Sequence, residues 1–245
     1  MKTLCLSEIA AAVNGTFTAD CSFKNIYTDS RKPIKGGLFV ALEGERFDGH
    51  NFIKNAENDG AAAVLCRKQV ETSLPVIYVS DTKKALLDIA SYYRGLFDVK
   101  VVGLTGSVGK TTTKEMTALV MASEYNTIKT QGNLNNDIGM PLTIFTIEED
   151  TQAAVIEMGM NHMGEISALT AVSRPDVGII TNVGVSHIEN LGSRENILKA
   201  KLEILEGMQK NSPLVVNGDN DLLSQIECDD YNVIFFGIES EKCTV

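Results

Sequence analysis

The stretch VKVVGLTGSVGKTTT (99–113) constrains this chain most. An apolar run ends in two glycines three residues apart, and a lysine and three threonines follow. That order predicts a buried strand, a tight turn and a helix beginning at Lys110. A phosphate-binding loop of the common kind reads GxxxxGK[ST]. Here Gly109, Lys110 and Thr111 supply its end, but the position five before Gly109 is Leu104. The chemistry survives the change. Gly106 and Gly109 let backbone approach an anion, and the helix start offers free N–H groups and a positive dipole end. Lys110 can reach outer phosphates, and the Thr111 hydroxyl can join a Mg²⁺ shell.

The alternation around this loop sets the fold class. Strands are expected at 153–159, 176–184, 213–219 and 232–237, with helices over 110–121, 164–173 and 193–208. Strand–helix alternation implies an α/β fold with a doubly wound, mostly parallel sheet. Residues 1–97 read as a smaller α/β domain with strands at 36–42, 61–66 and 75–80 and helices at 52–60 and 82–97. The expected organisation is therefore 1–97 followed by 98–245, divided near Gly95–Lys100.

Composition removes other classes. The 245 residues carry 22 basic and 32 acidic side chains, a net charge of −10. Such a chain does not attract polyanions through its overall field, so a general nucleic-acid binder is not expected. Phosphates must be bound locally. No apolar run approaches the ~20 residues that span a bilayer, so membrane insertion is not expected. The start MKTLCLSEIAAAVNG makes a poor signal peptide. Five scattered cysteines form no CxxC pair and point to a reducing cytoplasm rather than a disulfide framework or zinc site.

Other candidate groups follow from position. Glu157 closes the strand AAVIEMG, where a carboxylate can sit beside the loop and hold a metal, or merely be solvated. His187 falls just beyond the next strand, on the same sheet edge, with a metal, phosphate or structural role open. His50 and His162 carry weaker positional signals. The loop KTQGNLNNDIGMP (129–141) places Asn135 and Asn136 either against a polar ligand or in a turn and helix cap. Lys199 and Lys201 read from pattern alone as a solvated pair on a helix.

Together these motifs resemble the Mur ligase family of peptidoglycan synthesis, in particular its MurF-type branch. The carriers are TGSVGKTTT, GNLNNDIGMPLT, IEMGMNHMGEI, and TDSR (28–31) followed by GGLFVALEGERFDGHNFI (36–53). The resemblance implies an ATP-dependent ligase that joins D-Ala-D-Ala to UDP-MurNAc-tripeptide through an acyl phosphate, using Mg²⁺ in the cytoplasm, as a monomer. Thr105, Gly106, Ser107, Val108, Gly109, Lys110, Thr111 and Thr112 would line the ATP phosphates. Thr111, Glu157, His187 and Lys201 (as a carbamate) would serve metals. Lys110, Glu157, His187 and Lys201 would form the catalytic set. Ser30, Arg31, Glu45, Arg46 and Asp48 would hold the UDP part, and Asn135 and Asn136 the acceptor carboxylate and γ-phosphate. The third peptide residue stays open between lysine and diaminopimelate.

The resemblance also implies a longer protein. It leads us to expect a central domain incomplete at its C-terminal end, without the adenine-binding segment or a third domain, and a 245-residue chain inactive by itself. The rivals are a MurE-like or folylpolyglutamate-type ligase, a nucleotide-dependent switch, and a non-catalytic nucleotide-binding fragment.

Overall fold

A computed structural model describes residues 1–44 and 47–243. The chain divides into two units, Met1–Leu96 with Ile144–Glu149, and Phe97–Thr143 with Asp150–Val245.

In the first unit the elements are β1 (Leu4–Cys5), α1 (Leu6–Ala12), β2 (Thr16–Phe17), β3 (Ser22–Phe23), β4 (Ile26–Tyr27), β5 (Leu38–Val40), β6 (Glu43–Gly44), β7 (Phe47–Asp48), α2 (Ile53–Asn58), β8 (Ala63–Cys66), β9 (Val76–Tyr78) and α3 (Thr82–Arg94). Five strands form a sheet in the order β2-β9-β8-β5-β4, parallel except for β2 against β9. The apolar runs that predicted β5 and β8 are wholly buried, as strands covered on both faces must be. Asp81 caps α3 by accepting from the Lys83 and Lys84 amides at 2.8 and 2.9 Å. The Tyr93 hydroxyl then donates to Ile147 O over 2.7 Å, within the same unit. The opening residues, read as a poor signal peptide, fold as β1 and α1. Leu6, Ile9 and Ala10 are buried at helical spacing, and Glu8 accepts from the Cys5 amide at 2.8 Å.

The second unit contains β10 (Lys100–Thr105), α4 (Lys110–Met121), β11 (Thr127–Lys129), α5 (Gly139–Ile144, whose last residue groups with the first unit), β12 (Ala153–Glu157), α6 (Glu165–Ser173), β13 (Val177–Ile180), α7 (Ile188–Leu191), α8 (Arg194–Leu202), β14 (Pro213–Asn217) and β15 (Asn232–Phe236). Six strands run parallel in the order β11-β12-β10-β13-β14-β15. The chain leaves β10 to one side for β11 and β12, then crosses to the other for β13. β10 is therefore where the winding reverses, and ligands of such sheets sit beyond the strand ends at that point. Leu104, Val155 and Ala118 pack β10, β12 and α4 together. Truncating Leu104 to alanine in such a core typically costs ~2–5 kcal/mol.

The helix expected over 193–208 is not continuous. It is α-helical to Leu202 and tightens to a 3₁₀ turn over Glu203–Gly207. Close packing accompanies the change: a Cβ at Gly207 would run into the Thr170 backbone, and the Thr170 hydroxyl donates to Ile204 O at 2.8 Å. Among the described residues, no helix is long and apolar enough to cross a membrane.

Candidate functional site

The loop between β10 and α4 is built from its neighbours inward. Gly109 is left-handed, φ +83°, which lets the turn enter α4 without a Cβ penalty. The Ser107 amide donates to Asn182 O at 2.9 Å, and the Ser107 hydroxyl accepts from the Gly184 amide at 2.9 Å. Thr181, just past β13, donates its hydroxyl to Val108 O at 2.6 Å. The loop is thus stitched to the segment after β13. Lys110 folds back, with Nζ donating to Gly106 O at 2.8 Å. Burial lowers its pKa, opposed by the negative charge of Glu157.

Register brings Glu157 beside the loop, since Leu104 of β10 pairs with Glu157 of β12. Glu157 is only 1% exposed, so the solvated reading of this residue does not apply. Thr111 Oγ1 donates to its Oε2 at 3.2 Å, and Asn135 Nδ2 to its Oε1 at 2.8 Å. Its amide donates to Thr130 Oγ1 at 3.0 Å. The two asparagines separate in role. Asn135 faces Glu157, whereas the Asn136 carboxamide oxygen accepts from the Gly139 amide at 2.8 Å, a cap at the start of α5.

Lys201 is 2% exposed while Lys199 is exposed, so the solvated-pair reading holds for Lys199 alone. Burial, reinforced by the positive charge of Lys110, lowers the Lys201 pKa to about 7. No carboxylate lies within ion-pair distance of it among the described residues. His187 is exposed and left-handed, φ 65°, at the start of α7. No group of three or more His, Cys, Asp or Glu gathered as a metal cluster occurs among the described residues. The Thr111 hydroxyl and Glu157 carboxylate are nonetheless hard oxygen donors in mutual contact, which suits Mg²⁺.

In the first unit, Ser30 is half-buried and the Arg31 side chain is 87% exposed, its guanidinium forked onto Asp29 at 2.8 and 3.0 Å. Hydrogen bonds from that guanidinium hold the Asp29 pKa at about 2. Asp48 accepts from Lys68 Nζ at 2.6 Å and from the His50 ring and amide at 2.5 and 3.0 Å. These bonds depress its pKa, Lys68 contributing most. His50 Nε2 accepts from the Arg67 amide at 3.0 Å, which places the ring proton on Nδ1. Glu45 and Arg46 lie outside the described residues.

Sequence reasoning missed Lys114 and Thr181. Lys114 stands four residues after Lys110, on the same helical face, and that spacing was the available signal.

The Mur ligase middle-domain pattern matches residues 104–245, more than half of the chain. The chain belongs to the Mur ligase family. A second pattern, the Mur ligase family catalytic domain, matches residues 22–94. The UDP-N-acetylmuramoyl-tripeptide–D-alanyl-D-alanine ligase of Bacillus subtilis (strain 168) is 44% identical over 225 residues, covering 89% of this chain and 49% of its own. A crystal structure of MurF from Acinetobacter baumannii superposes with a TM-score of 0.92 at 33% identity, over 97% of this chain and 54% of that one. The MurF ligase of Thermotoga maritima in complex with ADP gives 0.83 at 34%, over 89% and 51%. This Mur ligase chain thus spans about half the length of the curated relatives it matches.

Proposed function

We propose that this Mur ligase chain carries the parts of a MurF-type enzyme that bind UDP-MurNAc-tripeptide (residues 1–97) and ATP (98–245). The observation carrying the proposal is the buried Glu157 carboxylate, held by Thr111 and Asn135 beside a glycine loop at the sheet's reversal point. The likeness to the ADP-bound Thermotoga ligase supports it.

In this reading Lys110 exchanges its Gly106 carbonyl for the outer phosphates. The residues Thr105, Gly106, Ser107, Val108, Gly109 and Thr112 shape the cradle. Thr111 and Glu157 hold Mg²⁺, which supplies charge neutralisation for phosphoryl transfer. Asn135 orients Glu157, and Asn136 fixes the loop that carries Asn135. Lys201 is mostly neutral near pH 8, so its amine can attack CO₂ and release one N–H proton to solvent, leaving an anionic carbamate. His187 and that carbamate serve a second metal. Ser30, Arg31 and Asp48 take the UDP end of the precursor, together with Glu45 and Arg46.

The tripeptide carboxylate takes the γ-phosphoryl group and ADP leaves. The amine of D-Ala-D-Ala then attacks the acyl phosphate, releasing phosphate and forming the amide. Ordering of the substrates supplies much of the rate. We place this work in the cytoplasm, by a monomer.

Calorimetric titration with Mg–ADP and, separately, UDP-MurNAc-tripeptide tests the proposal. Both are expected to bind. Heat from Mg–ADP alone would favour a nucleotide switch. In a full-length enzyme that contains this chain, mass analysis of product with D-Ala-D-Ala against single amino acids as acceptor separates the MurF-type reading from a MurE-like one.

A further inference from the structure

Helix α4 carries a second lysine one turn beyond Lys110, and it does not point to solvent. The Lys114 side chain is 1% exposed. Its Nζ lies 3.7 Å from Glu157 Oε2 and 3.2 Å from Glu115 Oε1. Glu115 in turn pairs with Lys129 of β11. Charges of alternating sign therefore run Lys129, Glu115, Lys114, Glu157 from a half-exposed surface to the buried end of β12.

A buried carboxylate is tolerated only when it is paired and its lone pairs are satisfied. Glu157 meets both conditions through three side chains. The Thr111 hydroxyl and the Lys114 ammonium face Oε2, and the Asn135 amide faces Oε1. Thr111 and Asn135 are neutral, and no other cationic group lies within ion-pair distance of this carboxylate among the described residues. Lys114 is held in turn by Glu115, so it is fixed in place rather than swinging into the loop.

We propose that Lys114 is a positioning residue for the metal–nucleotide site, its ammonium holding the Glu157 carboxylate so that Oε2 lies against the Thr111 hydroxyl, ready to share a divalent cation with it. The inference rests on reading this site as one for ATP and Mg²⁺. Lys114 need touch neither ligand. It acts through the orientation and charge balance of Glu157.

Calorimetry of ADP binding with Mg²⁺ and with EDTA measures the gain in affinity that the cation provides. Lys114→Met is expected to cut that gain by roughly tenfold while leaving the EDTA affinity near that of the wild type. Lys114→Arg keeps the charge and should retain most of the gain. A residue of merely structural importance would lower the melting temperature without changing the ratio of the two affinities. A Lys114→Met ratio equal to that of the wild type overturns the inference alone. A wild-type chain that binds no Mg–ADP brings down the reading of the site, and this inference with it. If Lys114→Met does not fold, Lys114→Met/Glu157→Gln should, since neither charge is then buried unpaired. A double variant that fails to recover the fold overturns the proposed coupling.

Discussion

The bare Cα of Gly106 packs against the hydroxyl of Thr181, so closely that a Cβ there would fall well inside contact distance. Thr181 cannot easily yield, because the same hydroxyl donates to Val108 O at 2.6 Å. Gly106→Ala is therefore expected to displace the loop and cost ~1–3 kcal/mol. Chemical denaturation should register this loss, and titration should show weakened Mg–ADP binding. An alanine variant with wild-type stability and affinity would contradict the packing argument.

Lys110 donates from its ammonium to the loop carbonyl of Gly106 at 2.8 Å. Lys110→Met is expected to raise the Kd for Mg–ADP roughly 10- to 100-fold, the worth of one charge-assisted hydrogen bond. The ligand-free melting temperature should move far less, since only one bond to Gly106 O is lost. Titration calorimetry beside a thermal melt separates the two effects.

With its pKa lowered to about 7 by burial and the positive charge of Lys110, Lys201 is expected to be mostly neutral at pH 8. Incubation with ¹³C-bicarbonate should give a carbamate resonance that Lys201→Arg abolishes and Lys199→Arg leaves intact. The signal should weaken below pH 7, where the amine is mostly protonated and cannot add CO₂.

Glu203 closes the start of α6 from outside that helix. Its carboxylate accepts from the Gly164 amide at 2.7 Å and the Ser167 amide at 3.1 Å. Glu203→Ala is expected to cost ~1–2 kcal/mol, as loss of an N-terminal cap does. That corresponds to a fall of roughly 3–6 °C in Tm. Glu203→Gln, which keeps an acceptor but loses the charge, should fall between. Differential scanning calorimetry orders the three proteins.

Glu57 is held at a pKa of about 2 by hydrogen bonds from Ser73, Thr72 and Lys54, against an ordinary value of 4.5. Because the folded pKa is the lower one, the unfolded chain binds more protons between these values. The stabilisation is complete above pH 4.5 and is lost as the pH falls toward 2. Glu57→Gln should therefore melt lower than wild type at pH 6, with the gap narrowing by pH 3.

Much of the site was legible because its signals are local. The glycines, Lys110 and Thr111 lie within six residues, and a strand–turn–helix needs no distant partner to be recognised. Glu157 could be placed at its strand end for the same reason, whereas His187, expected just beyond β13, stands exposed at the start of α7. From pattern alone Lys114 and Lys201 could not be distinguished from surface lysines, and it was the family resemblance that singled out Lys201. Their neighbours Glu157 and Lys110 lie 43 and 91 positions away in the chain. Likewise, α1 and α5 are short helices whose apolar faces carry too few residues to stand out. They are held by capping groups such as Glu8 and Asn136.

The sequence by itself determined the strand–helix alternation, the phosphate-type loop and the family resemblance, because hydrophobic period and turn chemistry are properties of neighbouring residues. Only the tertiary structure decided which polar side chains are buried and whom they face. It sends Asn135 to Glu157 and Asn136 to a helix cap, though they are adjacent in the chain. It buries Lys201 and leaves Lys199 exposed on the same helix. Burial and charge depend on strand order and register, which bring β10 and β12 together across 52 residues between Leu104 and Glu157.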